Sequence, residues 1–159
     1  MSRTMPYLID GHNLIGQLPD ISLADPNDEA KLVQKLMGFT ARTQRRCVVV
    51  FDAGITGGRS RMSTRMVEVV FAPRGTSADH IMLQRIADAR DTQYWVVVSS
   101  DREVLSAARR RRMRAVRSTD FVGMMRPQLA HDKDDDDHTE RYPSPAEVDA
   151  WLKIFTGRE

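Results

Sequence analysis

Four short, almost wholly apolar runs recur along the chain at residues 6–9, Cys47–Phe51, Val67–Phe71 and 95–98. Each is too short for a buried helix. Their β-branched and aromatic content marks strands covered on both faces. Between them lie segments with helical spacing. Asp28–Thr43 carries Ala30, Val33, Leu36, Met37 and Thr40/Ala41, with Asn27 or Asp28 placed to cap it. Residues 76–89 carry Ile81, Leu83, Ile86 and Ala87, residues 102–112 form a third helix, and residues 119–125 a short fourth one. Residues 115–116 make a short last strand. The order is β-α-β-β-α-β-α-β-α. It predicts an α/β fold in three layers: a mostly parallel central sheet of about five strands, helices on both faces and right-handed crossovers.

Two segments break the alternation. Residues 53–65 are rich in Gly, Ser, Thr and Arg and read as a mobile loop. Residues 131–138 contain Asp134 to Asp137, a like-charge run expected to be solvated. The expected organisation is a domain over residues 1–130, an acidic disordered linker over 131–142 and a terminal helix over 143–159. That helix starts at Ser144 (N-cap), Pro145 (first turn) and Glu147, and carries Val148, Trp151, Leu152 and Phe155 as an apolar stripe for the domain or a partner.

At 159 residues the chain is long enough to bury one core without disulfides. Its one cysteine, Cys47, allows no intrachain disulfide and reads as a small buried apolar residue. No apolar run approaches the roughly 20 residues that span a bilayer, so the chain reads as cytoplasmic. Residues 1–131 hold 20 basic and 13 acidic side chains, whereas residues 132–159 hold 4 and 9. Twenty of the 24 basic residues are arginine, whose planar fork suits phosphate. A basic body suits a polyanionic partner, though a solvated arginine-rich surface reads the same way from charge alone.

Asp10 and Asp52 follow the first two strands, Asp79 lies in the first turn of the helix after the third, and Asp101 follows the fourth. In an open parallel sheet all four fall at the carboxyl edge, where such folds build their sites. Each has a bland alternative. Asp79 stands three residues after Thr76, as in a capping box; Ser100 with Glu103 makes another around Asp101; Asp10-Gly11 and Asp52 suit turns. Together they repel one another unless a cation or protons intervene. Oxygen ligands without paired Cys or His favour Mg²⁺ or Mn²⁺ over zinc.

Residues 7–16, Tyr-Leu-Ile-Asp-Gly-His-Asn-Leu-Ile-Gly, resemble the opening of the NYN domain, a branch of the PIN-like nucleases, in its YacP-like bacterial form. Val49-Val-Phe-Asp-Ala53, Val69-Val-Phe-Ala72, Gly75-Thr-Ser-Ala-Asp79 and Val98-Ser-Ser-Asp-Arg-Glu103 follow in matching order, and residues 145–155 are similar to that branch's terminal helix. His12 departs from the usual Tyr. The resemblance implies a PIN-like, Rossmann-like fold and metal-dependent endonuclease cleavage of RNA. Asp10, Asp79 and Asp101 would ligate Mg²⁺ or Mn²⁺, Asp52 would join directly or through water, and Asn13 would orient a carboxylate or phosphate. RNA, single-stranded or as mRNA on the ribosome, would be the substrate, with the ribosome itself a further partner. His12, Arg59, Arg61, Arg65, Arg74, Ser100 and Arg102 would contact RNA, Ser100 serving also as a helix cap. Arg109 to Arg112 cannot form one patch, because consecutive helical residues point about 100° apart. The competing reading is a non-catalytic RNA- or ribosome-binding module. A phosphotransferase of related fold is a third, but Asp10-Gly-His-Asn lacks the second Asp of its D-x-D motif.

Overall fold

The structure, a computed structural model, describes residues 5–52 and 58–126. The expectations for residues 131–159 lie outside the described residues. The strands are β1 (Tyr7–Asp10), β2 (Cys47–Phe51), β3 (Gly58–Arg59), β4 (Val67–Phe71), β5 (Val96–Ser99) and β6 (Arg114–Arg117). The helices are α1 (Gly11–Ile15), α2 (Asp28–Thr43), α3 (Ala78–Asp88), α4 (Arg102–Arg110) and α5 (Ser118–Met125). The sheet order is β3-β4-β2-β1-β5-β6, all parallel except β3.

Strand pleating sorts alternate residues into two cores. Tyr7, Ile9, Val49, Phe51 and Val98 face one layer with Leu32, Leu36 and Phe39 of α2 and Phe121 of α5. Leu8, Val48, Val50 and Val97 face the other with Met82 and Ile86 of α3 and Val104 and Ala108 of α4. Strands β1, β2 and β5 are buried at every position, as continuous apolar runs require. No helix among the described residues is long and apolar enough to cross a membrane.

Six strands replace the expected five or so. Gly58 and Arg59 pair antiparallel with Phe71 and Val70 inside the segment read as a loop. Two residues without an apolar pattern leave no periodic signal. Beyond them Ser60 N donates to Val69 O at 2.8 Å, Val69 N to Ser63 Oγ at 2.9 Å and Thr64 N to Val67 O at 2.7 Å. Residues 58–64 are thus tied to β4 rather than loose; residues 53–57 lie outside the described residues.

The arginine run divides. Arg111 Nη1 donates to the carbonyls of Ile86, Ala87 and Ala89 at 2.7, 2.8 and 2.9 Å, closing the C-terminal end of α3. Arg109, Arg110 and Arg112 remain exposed.

Gly11 lets α1 turn directly off β1. A Cβ there would stand 2.4 and 2.5 Å from Phe51 Cε1 and Cδ1 and 3.1 Å from Val49 Cγ2. The Phe51 ring is fully buried and has little room to retreat. Gly11→Ala is expected to cost about 1–3 kcal/mol, as overpacking of a filled core does. Urea unfolding measures it, and an unchanged midpoint would show that the ring yields freely.

Candidate active site

The chain leaves β1 for β2 and β4 on one side, then returns to β5 on the other. A crevice at the carboxyl ends of β1 and β5 is the geometric result. Asp10 ends β1 and Ser99 ends β5, Asp52 follows β2, Asp79 is the second residue of α3, and Asp101 caps α4. All four acids singled out in the sequence therefore stand at one sheet edge.

Asp10 is 2% exposed and Ser99 fully buried. The Ser99 hydroxyl hydrogen can reach Asp10 Oδ2 at 3.2 Å or Asn13 Oδ1 at 3.4 Å, while its oxygen accepts the Asp101 N–H at 3.0 Å. Asn13 Oδ1 accepts the Ser100 N–H at 2.6 Å, pinning the β5–α4 turn to α1. Asp101 Oδ1 accepts from Glu103 N at 2.8 Å and Val104 N at 3.4 Å. The cap of α4 is therefore Asp101 itself, not Ser100: a carboxylate already satisfies the first free N–H groups. Similarly α3 is capped by Ser77, whose hydroxyl accepts from His80 N at 3.2 Å. Thr76 Oγ1 instead donates to Pro73 O at 2.8 Å, so no Thr76–Asp79 capping box forms.

The Asp79 carboxyl lies close enough to Asp10 and Asp101 for both to act on its ionisation. Desolvation, the hydrogen bond to Asp101 and the charges of Asp10 and Asp101 push its carboxyl up to about 7. Burial also raises Asp10, against the Ser99 hydroxyl and the Asn13 N–H. The bond with Asp79, followed by the helix N–H groups, holds Asp101 below the usual carboxylate range. With Asp10 on one side and Asp101 on the other, the Asp79 carboxyl is hindered from ionising, which favours its protonated form near neutral pH.

Asp52 sits beside this trio with its side chain 52% exposed. Its Oδ1 accepts the Ala78 N–H at 2.7 Å, so it fixes the start of the helix that carries Asp79. Its charge also raises Asp10.

Among the basic candidates, Arg74 follows β4 and Arg102 opens α4, both exposed at the carboxyl edge. Exposed Arg59, paired with Val70, stands one step in from that edge on the outermost strand. Arg61 lies past it, away from the edge. Arg65 precedes β4 and reaches the opposite edge, about 20 Å of extended chain from Phe71. The structure does not bring it to the site. Exposed Ser100 lies in the crevice turn.

Sequence reading missed Ser99, whose only signal was a hydroxyl ending an apolar run. It also missed Arg117, exposed and paired with Ser99 at the same edge. The His12 ring turns toward two carboxylates: Nε2 is 2.8 Å from Glu29 Oε2, and Nδ1 is 3.4 Å from Asp52 Oδ2. Glu29 carried no local signal, being 17 residues away.

Comparison with known proteins follows the same lines. The profile of the YacP-like NYN domain matches residues 7–151. The uncharacterised protein YacP of Bacillus subtilis strain 168 is 34% identical over 87 residues, which make up 52% of this chain and 51% of that protein. The aligned part thus spans about half of that relative. The crystal structure of Rae1 (YacP) from Bacillus subtilis superposes with a TM-score of 0.62 at 22% identity, covering 95% of this chain and 92% of that one. Its W164L mutant gives a TM-score of 0.61 at 23% identity over 77% and 75% of the two chains. At such identities the likeness is one of fold.

Proposed function

This chain belongs to the YacP-like NYN family, and on that footing we propose that it is a metal-dependent RNA endonuclease centred on Asp10, Asp79 and Asp101. One observation carries the reading: Asp10, Asp79 and Asp101 meet at the switch-point crevice, where burial and its two neighbours push the Asp79 carboxyl up to about 7. A divalent cation in place of the carboxyl proton relieves the same repulsion. Hard oxygen donors fit Mg²⁺ or Mn²⁺. Asp10, Asp79 and Asp101 would hold the ion, with Asp52 reaching it through water. When bound, the ion acidifies a water and stabilises charge on the phosphate.

The chain's own groups supply the rest. Ser99 fixes Asp10 and the backbone of Asp101. Asn13 spends its carbonyl on Ser100, and its amide N–H groups, which have no partner among the described residues, are free to donate to a phosphate oxygen. Arg74, Arg102, Arg117 and Arg59 line the edge along which an RNA strand, free or on the ribosome, would lie. His12 and Ser100 would flank the scissile phosphate. In-line attack by water leaves 5′-phosphate and 3′-hydroxyl ends. A non-catalytic RNA-binding module is disfavoured, because clustered carboxylates repel phosphate.

End-group analysis of cleaved RNA tests the chemistry. Products ending in 2′,3′-cyclic phosphate would mean attack by the ribose hydroxyl and would overturn water activation at the aspartates. Salt dependence tests the path. Arg74→Ala and Arg102→Ala are each expected to flatten the slope of log K against log salt by about 0.7 for a single strand. Arg65→Ala, at the far edge, should leave the slope unchanged. A larger effect at Arg65 than at Arg74 would move the RNA path to the opposite edge.

A further inference from the structure

A second cluster of donors lies apart from the aspartate trio. His12 is the second residue of α1, and Asp28 and Glu29 open α2, the helix packed beside it. One ligand atom from each lies within 4.8 Å of the other two, the only such trio of His, Cys, Asp or Glu among the described residues. Acids in a helix's first turn serve its dipole, which accounts for two carboxylates but not for an imidazole wedged against them. Nor does it account for Asp28. That residue is 8% exposed, and its carboxylate has no hydrogen bond or ion pair among the described residues. A carboxylate set this deeply with no protein partner is poorly compensated, and one of its oxygens lies in the same cluster.

We propose that His12, Asp28 and Glu29 form a second cation site, suited to a transition metal such as Zn²⁺ rather than to Mg²⁺. The inference stands independently of the nuclease reading. One imidazole and two carboxylates are a donor set for Zn²⁺ or Mn²⁺, whereas Mg²⁺ prefers oxygen alone. The 2.8 Å between Nε2 and Glu29 Oε2 is compatible with both binding one ion. Neighbouring ligands about 2.0–2.1 Å from an ion stand roughly 2.8–3.0 Å apart in octahedral and about 3.3–3.4 Å in tetrahedral geometry, so Glu29 needs to move by at most about half an ångström.

In the structure Nδ1 accepts the Asp52 backbone N–H at 3.4 Å, with Asp52 Oδ2 also 3.4 Å away; metal on Nε2 would put the ring proton on Nδ1 and exchange that bond for one to Asp52 Oδ2. Carboxylate, imidazole and metal in that order form the usual outer support of a histidine ligand. Asp52 in turn holds the Ala78 N–H at 2.7 Å. In that arrangement two hydrogen bonds would connect the second site to the helix that carries Asp79. The His at position 12 is what supplies the nitrogen ligand.

The test is a Zn²⁺ titration of the full chain without RNA, followed by calorimetry, with saturating Mg²⁺ present. Two further histidines, His131 and His138, flank the acidic run, so the reading comes from differences between variants. His12→Tyr and Glu29→Gln are each expected to weaken one Zn²⁺ site at least tenfold. Asp101→Asn should leave that site within twofold. In the wild-type chain, Zn²⁺ should also shift the nitrogen resonance of His12 Nε2, a readout that needs no variant to fold. Wild-type Zn²⁺ binding in both variants, an unmoved His12 resonance, or loss of the site in Asp101→Asn would each overturn the proposal.

Discussion

Asp79→Asn is expected to stabilise the metal-free protein above pH 7 while removing its cleavage activity. In the wild type the folded Asp79 carboxyl titrates at about 7, whereas an unfolded aspartate titrates near 3.9. Across that window the native state holds a proton that the unfolded state has lost, so stability falls as pH rises from about 4 to about 7. The full shift corresponds to roughly 4 kcal/mol. Partial solvent exposure of Asp79 screens this to about 1–2 kcal/mol. Asparagine carries no charge at any pH, and its amide can donate to Asp10 and Asp101 where the shared proton did. Thermal unfolding in EDTA should show the wild-type midpoint dropping by about 3–6 °C between pH 5 and pH 8. The variant should stay level across this window. Identical pH dependence in the two proteins would show that Asp79 is not the proton holder. Saturating Mn²⁺ at pH 8 should restore the wild-type midpoint and leave that of Asp79→Asn nearly unmoved.

The same geometry explains what the sequence made legible. Strands β2 and β4 and helix α2 begin and end where the apolar runs and the helical spacing place them, because those patterns are the direct imprint of two-sided and one-sided burial. The convergence of Asp10, Asp52, Asp79 and Asp101 on one edge followed from parallel topology alone. What escaped was set by contacts between distant residues. Ser99 reads as one more small residue until its hydroxyl is seen between Asp10 and Asp101. The closure of α3 by Arg111 depends on a neighbouring helix 25 residues away, which no spacing within the arginine run reveals. The S-x-x-E pattern points to Ser100 as the cap, yet Asp101 fills that role with its own carboxylate. His12 and Glu29 meet only because α1 and α2 pack side by side.

Asp10→Asn and Asp101→Asn should each reduce cleavage by about 10²–10³-fold, the scale for removing one preorganised electrostatic partner. Neither is expected to unfold the protein. Asn at position 10 keeps the shape of a buried side chain that faces the Ser99 hydroxyl. At position 101 asparagine is as good a helix cap as aspartate, so the bonds from Glu103 and Val104 survive. Asp101→Ala would mix the catalytic loss with about 1 kcal/mol of lost capping. The asparagine variants separate the two, with circular dichroism confirming an unchanged fold.

The most direct test is cleavage of mixed cellular RNA by the full chain in Mn²⁺, Mg²⁺ or EDTA, with the wild type and Asp10→Asn side by side. The expected result is cleavage by the wild type with at least one of the two ions, none in EDTA, and cleavage reduced at least about a hundredfold for Asp10→Asn under every condition. Undiminished cleavage in EDTA or by Asp10→Asn, or no cleavage by the wild type with either ion, would contradict a metal-dependent centre at Asp10, Asp79 and Asp101.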